Sequence, residues 1–393
     1  MTHSTAQNSG IPFWRDERIL RILGQIAFMF ALGILGYFIY ANMMDGLRRQ
    51  GMTLGFSFFT GIAGFDIGES LIEYSREASY LRAFQVGLLN TALVSVVGIF
   101  LATILGVILG VARLSTNFLI NRLAALYLEI IRNLALLVFL IFWYAAVFLK
   151  LPKVKEAIVW PGNILLTNRG LGIPWGIPTA SFWTYAWVLA FGFFLAIGVA
   201  LLLVQQGRRT GRSPLVTLWA SLTFLAVAVI GWLVLPEPPL RLDLPYVKGL
   251  NLAGGKILSP EFMALTSGLV LYTAAFIGEV VRAGIMSVPK GQVEAARALG
   301  LSGFQSLRLV VFPQALRVIV PPLISQYLNL TKNSSLAVAI GYPDLFYVSS
   351  TIINQSGRAV EMISLVMLTY LSLSLLTSLF MNWYNQKIKL VER

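Results

Sequence analysis

Long apolar runs alternate with short polar connections along the chain. Eight runs reach the roughly 20 residues that a helix needs to cross a hydrocarbon layer of about 30 Å. They occupy residues 23–44, 84–112, 123–149, 183–206, 215–235, 262–286, 318–340 and 361–384. This pattern predicts an all-α, polytopic membrane protein of about eight transmembrane helices. The first run follows Arg15, Arg18 and Arg21 and lacks a small-residue cleavage site of the A-x-A kind, so it is expected as a retained helix and not a signal peptide.

Composition supports this. Of the 393 residues 57% are hydrophobic and 12% charged, about half the charged content of soluble domains. There is no cysteine and the one histidine is His3, which excludes disulfides, thiolate sites, a histidine-based triad, His/Cys zinc sites, histidine-ligated haem and iron–sulfur clusters. The net charge of +13 does not point to nucleic acid, because Lys and Arg gather between the apolar runs, where they set topology. Arg113 and Arg122 bracket one connection, Arg208, Arg209 and Arg212 fill another, and Lys387, Lys389 and Arg393 close the chain. By the positive-inside rule both termini are then cytoplasmic, and loops 45–83, 150–182, 236–260 and 341–360 face outward.

Four segments follow from texture. Residues 1–83 hold a polar tail, the first helix and an outer loop, and 84–149 the first part of a core. Residues 150–261 form a Pro-rich insertion with two accessory helices, and 262–393 the second part of the core with an inside loop at 287–316. The accessory helices carry no charged side chain, so they are expected to face lipid or to act as scaffold. Gly106 and Gly110 form a small-xxx-small step that admits another helix closely.

The inside loop, SVPKGQVEAARALGLSGFQSLRLVVFPQAL, is too patterned for a connector. Pro289 suits the first turn of a short helix, Val293, Ala296, Ala298 and Leu299 give it an apolar stripe, and Gly300 sits where a C′ residue takes positive φ. Ser302 and Gln305 form a capping box for a second short helix through Phe304, Leu307, Val310 and Val311, which Pro313 closes. Such a pair can lie in the headgroup layer, with Lys290, Arg297 and Arg308 toward lipid phosphate. Glu294 argues instead for a protein partner.

Glu294, Ala295 and Ala296, then Gly300, then Val310 and Pro313 reproduce the spacing E-A-A-x3-G-x9-I-x-L-P, with conservative apolar departures at Val310 and Phe312. On these residues the chain resembles the permease subunits of binding-protein-dependent ABC importers. Four further stretches look like the polar amino-acid permeases: GLLNTALVSVVGIFLATILGVILGVARLS from Gly87, LYLEIIRNLALLVFLIFWY from Leu126, GEVVRAGI at Gly278 and TKNSSLAVAIG at Thr331. The resemblance covers residues 84–149 and 262–385, about half the chain. It departs at Ala135 and Phe139, where the family usually has proline and a glutamine-like residue, so the family's kink and polar contact are not carried over there. The extra first helix and the insertion resemble the larger permease subunit of broad-specificity or neutral amino-acid importers.

The resemblance implies a type I ABC importer permease in the bacterial inner membrane. It makes 287–316 a coupling-helix loop docked on a dimer of ABC ATPase subunits, through Glu294, Ala295, Ala296, Gly300, Val310 and Pro313. It further implies a second permease subunit, by analogy a different one, and a periplasmic substrate-binding protein. ATP and magnesium belong to the ATPase, and no cofactor is expected on this chain. In agreement, no G-x-x-x-x-G-K-[ST] occurs.

Charge inside a membrane costs about 2.5–3.5 kcal/mol on insertion scales, so each instance is a functional candidate. Glu129 with Arg132, and Glu279 with Arg282, are i, i+3 pairs near cytoplasmic helix ends, expected to brace helices or to gate. Asn329, Thr331, Lys332, Asn333, Ser334 and Ser335 are six polar residues in one span, and Pro321 with Pro322 is expected to break the helix upstream of them. Either they line a water-filled substrate path, with Lys332 holding an amino acid, or they pack helices together. The competing function is an ion-coupled secondary carrier, which calls for acids near mid-membrane and paired broken helices.

Overall fold

A computed structural model describes residues 17–49, 54–210 and 215–388; His3, Arg15, Arg212, Lys389 and Arg393 lie outside the described residues. Its helices are α1 (Glu17–Arg49), α2 (Tyr80–Ala112), α3 (Phe118–Arg132), α4 (Leu136–Phe142), α5 (Phe182–Thr210) and α6 (Val216–Val234). They continue with α7 (Pro260–Met286), α8 (Lys290–Ala298), α9 (Gly303–Ser306), α10 (Phe312–Asn333), α11 (Leu345–Ser356) and α12 (Ala359–Ile388). Polar caps set several starts: Ser79 accepts from the Arg82 amide, Ser259 from Phe262 ahead of Pro260, and Asp344 from Tyr347.

Among the described residues seven helices are long and apolar enough to cross a membrane, or eight when α3 and α4 count as one broken span. That pair corrects the run at 123–149 only in its shape: it is expected as one span without the family's kink, and the chain bends by 106° between Arg132 and Leu136. Asn133 Nδ2 donates back to the Glu129 carbonyl at 2.7 Å, which closes α3, and Ala135 restarts the chain from extended backbone. The bend needs no proline.

A second correction concerns Pro321 and Pro322, which lie inside an unbroken α10. Both prolines are exposed on its outer face, so their rings meet no core side chain. The change of geometry comes later, where α10 tightens into a 3-10 segment at Ser334–Ile340 that ends at Gly341 with φ +79°.

The all-helical expectation holds for the long elements, but the insertion also carries eight short strands that hydrophobic runs do not reveal. Strands β1 (Ile158–Trp160), β2 (Ile164–Thr167), β3 (Gly170–Ile173) and β4 (Trp175–Pro178) precede α5. Strands β5 (Leu240–Asp243), β6 (Tyr246–Lys248), β7 (Asn251–Ala253) and β8 (Lys256–Leu258) follow α6. All pair antiparallel, as a sheet β1-β2-β3-β8, a pair β4-β5 that joins the two ends of the α5–α6 excursion, and a hairpin β6-β7. Each is three or four residues long, below the usual length at which alternation shows.

The core is the packing of α7 against α2 and α10. An added Cβ at Gly106 would sit 2.5 Å from Ile277, one at Gly110 would sit 2.7 Å from the Gly278 carbonyl oxygen, and one at Gly284 would overlap Ile319. The small-xxx-small step of Gly106 and Gly110 is therefore used inside the chain. Helices α5 and α6 pack on each other, with Gly192 against Val227 and Gly231 against Val188, and turn Trp183 and Trp187 outward. The apolar stretch of α1 is exposed throughout.

Gly110→Ala must push α2 from α7 and is expected to lower the Tm of the detergent-solubilised chain, at a cost of about 1–3 kcal/mol. Gly198→Ala, in α5 with nothing within 4 Å of the new Cβ, is expected to leave Tm unchanged or raise it. Equal shifts for the two would contradict this packing.

Candidate functional site

The loop after α7 is built as a rigid corner. Pro289 caps α8, Ala296 is buried beneath it and Val293 leans on the core, while Glu294 and Ala295 are exposed. Gly300 takes φ +78° and donates to the Arg297 carbonyl at 2.9 Å, while Leu301 N–H donates to Ala296 at 3.1 Å. This double bond is a Schellman stop, which fixes the turn. The capping box forms in both directions: Ser302 N–H donates to Gln305 Oε1 at 2.9 Å, and Gln305 N–H donates to Ser302 Oγ at 3.3 Å.

Beyond α9 the structure departs from the sequence reading. A π-turn at Leu307–Val311 runs straight into α10, and Pro313 occupies the first turn of that long helix. Pro313 continues the path because the N–H it lacks is one that a helix start leaves unpaired anyway. Val310 is half-buried and Pro313 exposed, and Gln314 Nε2 donates to Gln292 Oε1 at 3.3 Å, tying α10 back to α8. At the tip, Leu299, Phe304 and Leu309 are 81%, 71% and 61% exposed, beside the exposed Glu294.

Above the loop, Glu279 accepts from Arg282 Nη2 at 2.5 Å and faces Arg132 Nη1 at 4.0 Å. The Arg132 guanidinium also lies over the Phe276 ring, 5.8 Å from its centre. The expected Glu129–Arg132 pair is thus replaced by one across helices: Arg132, at the end of α3, turns toward α7, where a carboxylate and a ring await it.

The polar run of α10 divides in two. Thr331 and Ser334 are buried and donate to backbone carbonyls one turn back, Tyr327 at 3.1 Å and Thr331 at 2.8 Å, so their hydroxyls are satisfied within their own helix. Asn329 and Lys332 are exposed and Asn333 is half-buried. Lys332 and Ser335 open onto a groove of about 480 Å³ walled by Phe346, Tyr370 and Ser374, which sequence reasoning missed. The only signal for the last two is their four-residue spacing in an apolar helix.

Behind the groove, Tyr370 OH donates to Asp344 Oδ2 at 3.3 Å. Asn90 Nδ2 donates to the Pro343 carbonyl at 2.9 Å, and Leu345 N–H to Thr91 Oγ1 at 2.9 Å. Asp344 is fully buried, which pushes its carboxyl up to about 6. Among the described residues no group of three or more His, Cys, Asp or Glu side chains is placed to hold a metal ion.

Bundled apolar helices, a rigid cornered loop and a polar groove define a membrane transport subunit. Residues 192–390 match the family model described as the binding-protein-dependent transport system inner membrane component. A general L-amino acid transport system permease protein of Rhizobium johnstonii is 45% identical over 96% of this chain and 94% of its own length. A putative amino-acid ABC transporter permease protein of Escherichia coli is 42% identical over the whole of both chains. A glutamate/glutamine/aspartate/asparagine transport system permease protein of Rhodobacter capsulatus is 39% identical over 96% of each. The chain belongs to this family. It is an integral inner-membrane permease subunit of an ABC transporter, in which a separate subunit hydrolyses ATP.

Asp344 gives the folded chain an acid-side advantage. Its carboxyl is raised from the ordinary 3.8 to about 6, so between those values the folded state holds more proton than the unfolded state. Stability from this group is present below about pH 4 and is lost as pH rises to about 6. Asp344→Asn is expected to flatten that part of the Tm–pH curve and to leave Tm at neutral pH no lower than in the parent. An unchanged slope would contradict it.

Proposed function

We propose that this chain passes amino acids, polar and neutral ones over a broad range, from a periplasmic binding protein into the cytoplasm. It does so beside a second, different permease subunit and on a dimer of ABC ATPase subunits. The observation that carries this is the corner at 294–313: a short helix stopped by Gly300, a capped turn, and Glu294, Leu299, Phe304 and Leu309 all left exposed. The names of the three relatives support amino acids as cargo. An ion-coupled carrier, the alternative, has no task for such a corner.

In this reading Glu294, Ala295 and Gly300 meet the ATPase, Ala296 and Val310 hold the corner from within, and Pro313 starts the helix that carries its motion. Asn329, Lys332, Asn333 and Ser335 face the substrate path, with Ser334 in the wall behind. A lysine opening sideways into lipid costs about 2.5–3.5 kcal/mol, which a second permease subunit covering the groove would offset. Glu279 with Arg132 and Arg282 braces the bend of α3 and α4 against α7. Residues 84–149 and 262–393 form the core, and 150–261 the accessory insertion.

Gly300→Val forces positive φ on a β-branched side chain, at a local cost on the order of 1–2 kcal/mol, and misaims the chain beyond it. Gly300→Val and Glu294→Lys are both expected to abolish ATP-driven uptake while the complex still assembles. Normal uptake by both variants, with the ATPase attached, would overturn the coupling role.

The proposed orientation puts both termini and 207–214 in the cytoplasm and 236–260 outside. With cysteines introduced at Thr210 and Lys248, a membrane-impermeant thiol reagent applied from outside is expected to label position 248. Labelling of position 210 alone would reverse the sidedness.

A further inference from the structure

We propose that the cavity between the β2–β3 turn and the first turn of α7 is a receiving site for the zwitterionic head of a free amino acid, held by Arg169 and Glu261. This rests on the import function proposed above and adds where the cargo is first taken. The cavity, about 460 Å³, is within the roughly 300–1,000 Å³ of small-molecule sites. Its polar wall comprises Tyr144, Asn168, Arg169, Asn251, Ser259 and Glu261, and it is separate from the groove at Lys332.

The backbone positions of the two charged residues are fixed by the fold. Arg169 occupies a tight turn: its N–H donates to Thr167 Oγ1 at 3.1 Å, and Thr167 Oγ1 donates to the Gly170 carbonyl at 3.2 Å. The neighbouring Asn168 N–H donates to the Pro152 carbonyl at 2.9 Å. Pairing of Leu171 with Leu258 docks this turn on β8, the strand that leads through Ser259 into α7. Glu261 stands in the first turn of α7 and accepts from Tyr144 OH at 2.8 Å. Tyr144 comes from a π-turn, Trp143–Val147, an irregularity frequent at functional sites because it re-aims side chains.

Among the described residues neither Arg169 nor Glu261 forms an ion pair. A cavity with a guanidinium and a carboxylate on its walls, neither held in an ion pair among the described residues, suits a ligand bearing both opposite charges. A plain anion meets Glu261, and a plain cation meets Arg169. Both charges address the head shared by all α-amino acids, so the site reads no particular side chain, and breadth of cargo follows from its chemistry.

The test uses the assembled complex in lipid nanodiscs without binding protein, with radiolabelled L-glutamine as probe. Its methyl ester, which lacks the carboxylate, and its N-acetyl derivative, which lacks the ammonium, serve as competitors. Saturable binding is expected, weakened about tenfold or more by Arg169→Gln and by Glu261→Gln. Arg169→Gln should leave the methyl ester's affinity as in the parent, and Glu261→Gln that of the N-acetyl derivative. A merely structural defect would lower all affinities alike. Arg169→Lys, which keeps the charge without the fork, should fall between parent and Arg169→Gln.

Unchanged glutamine affinity in both Gln variants overturns the proposal. So does a loss seen only in Lys332→Met, which would put the ligand in the groove. Absence of saturable binding in a parent complex that imports amino acids also overturns it. A parent complex that imports no amino acid under ATP is a different result, and counts against the proposed function itself.

Discussion

Lipid tails are as apolar as leucine, so helices in a membrane gain little by hiding apolar surface from their solvent. They associate by close van der Waals packing, and in this chain that requirement falls on α7. Its contacts at Gly106, Gly110 and Gly284 bring helix surfaces within the distance that a methyl group would forbid. Everything attached to α7 inherits its position: the capped corner at its lower end, and the Glu261 cavity at its upper end.

The bent span is fastened to the same helix at three heights. Arg132 faces Glu279 at 4.0 Å, Tyr127 OH donates to the Leu271 carbonyl at 2.8 Å, and Tyr144 OH donates to Glu261 at 2.8 Å. The last two ties are neutral donors on a carbonyl and on a carboxylate, and only the first is an ion pair. Half-exposed as it is, that pair contributes less to stability than its geometry suggests, and its value is in registering the end of α3 against α7.

Much of this was legible in the sequence because it depends on local rules. Long apolar runs mark helices, a serine three residues before a glutamine marks a capping box, and a glycine after an apolar stripe marks a Schellman stop. What was not legible depends on neighbours. The bend after Arg132 arises from an asparagine that bonds to its own preceding turn and from an arginine drawn to α7, and neither interrupts apolar periodicity. Pro321 and Pro322 stand exposed inside a helix that continues through them, which a sequence does not reveal. The β-strands are too short for alternation to register. Arg169 and Glu261, 92 positions apart, are brought near each other by the pairing of β3 with β8.

The segment between residues 150 and 261, in the proposed reading an insertion into the core, has a consequence of parity. It leaves the core, makes two long apolar passages as α5 and α6, and returns beside its own departure point, where β3 pairs with β8. Two passages cancel. A core with this insertion and one without it therefore present α7, and the corner below it, to the same side of the membrane. The segment can lengthen, shorten or acquire new strands over evolutionary time without reversing the side on which that corner lies.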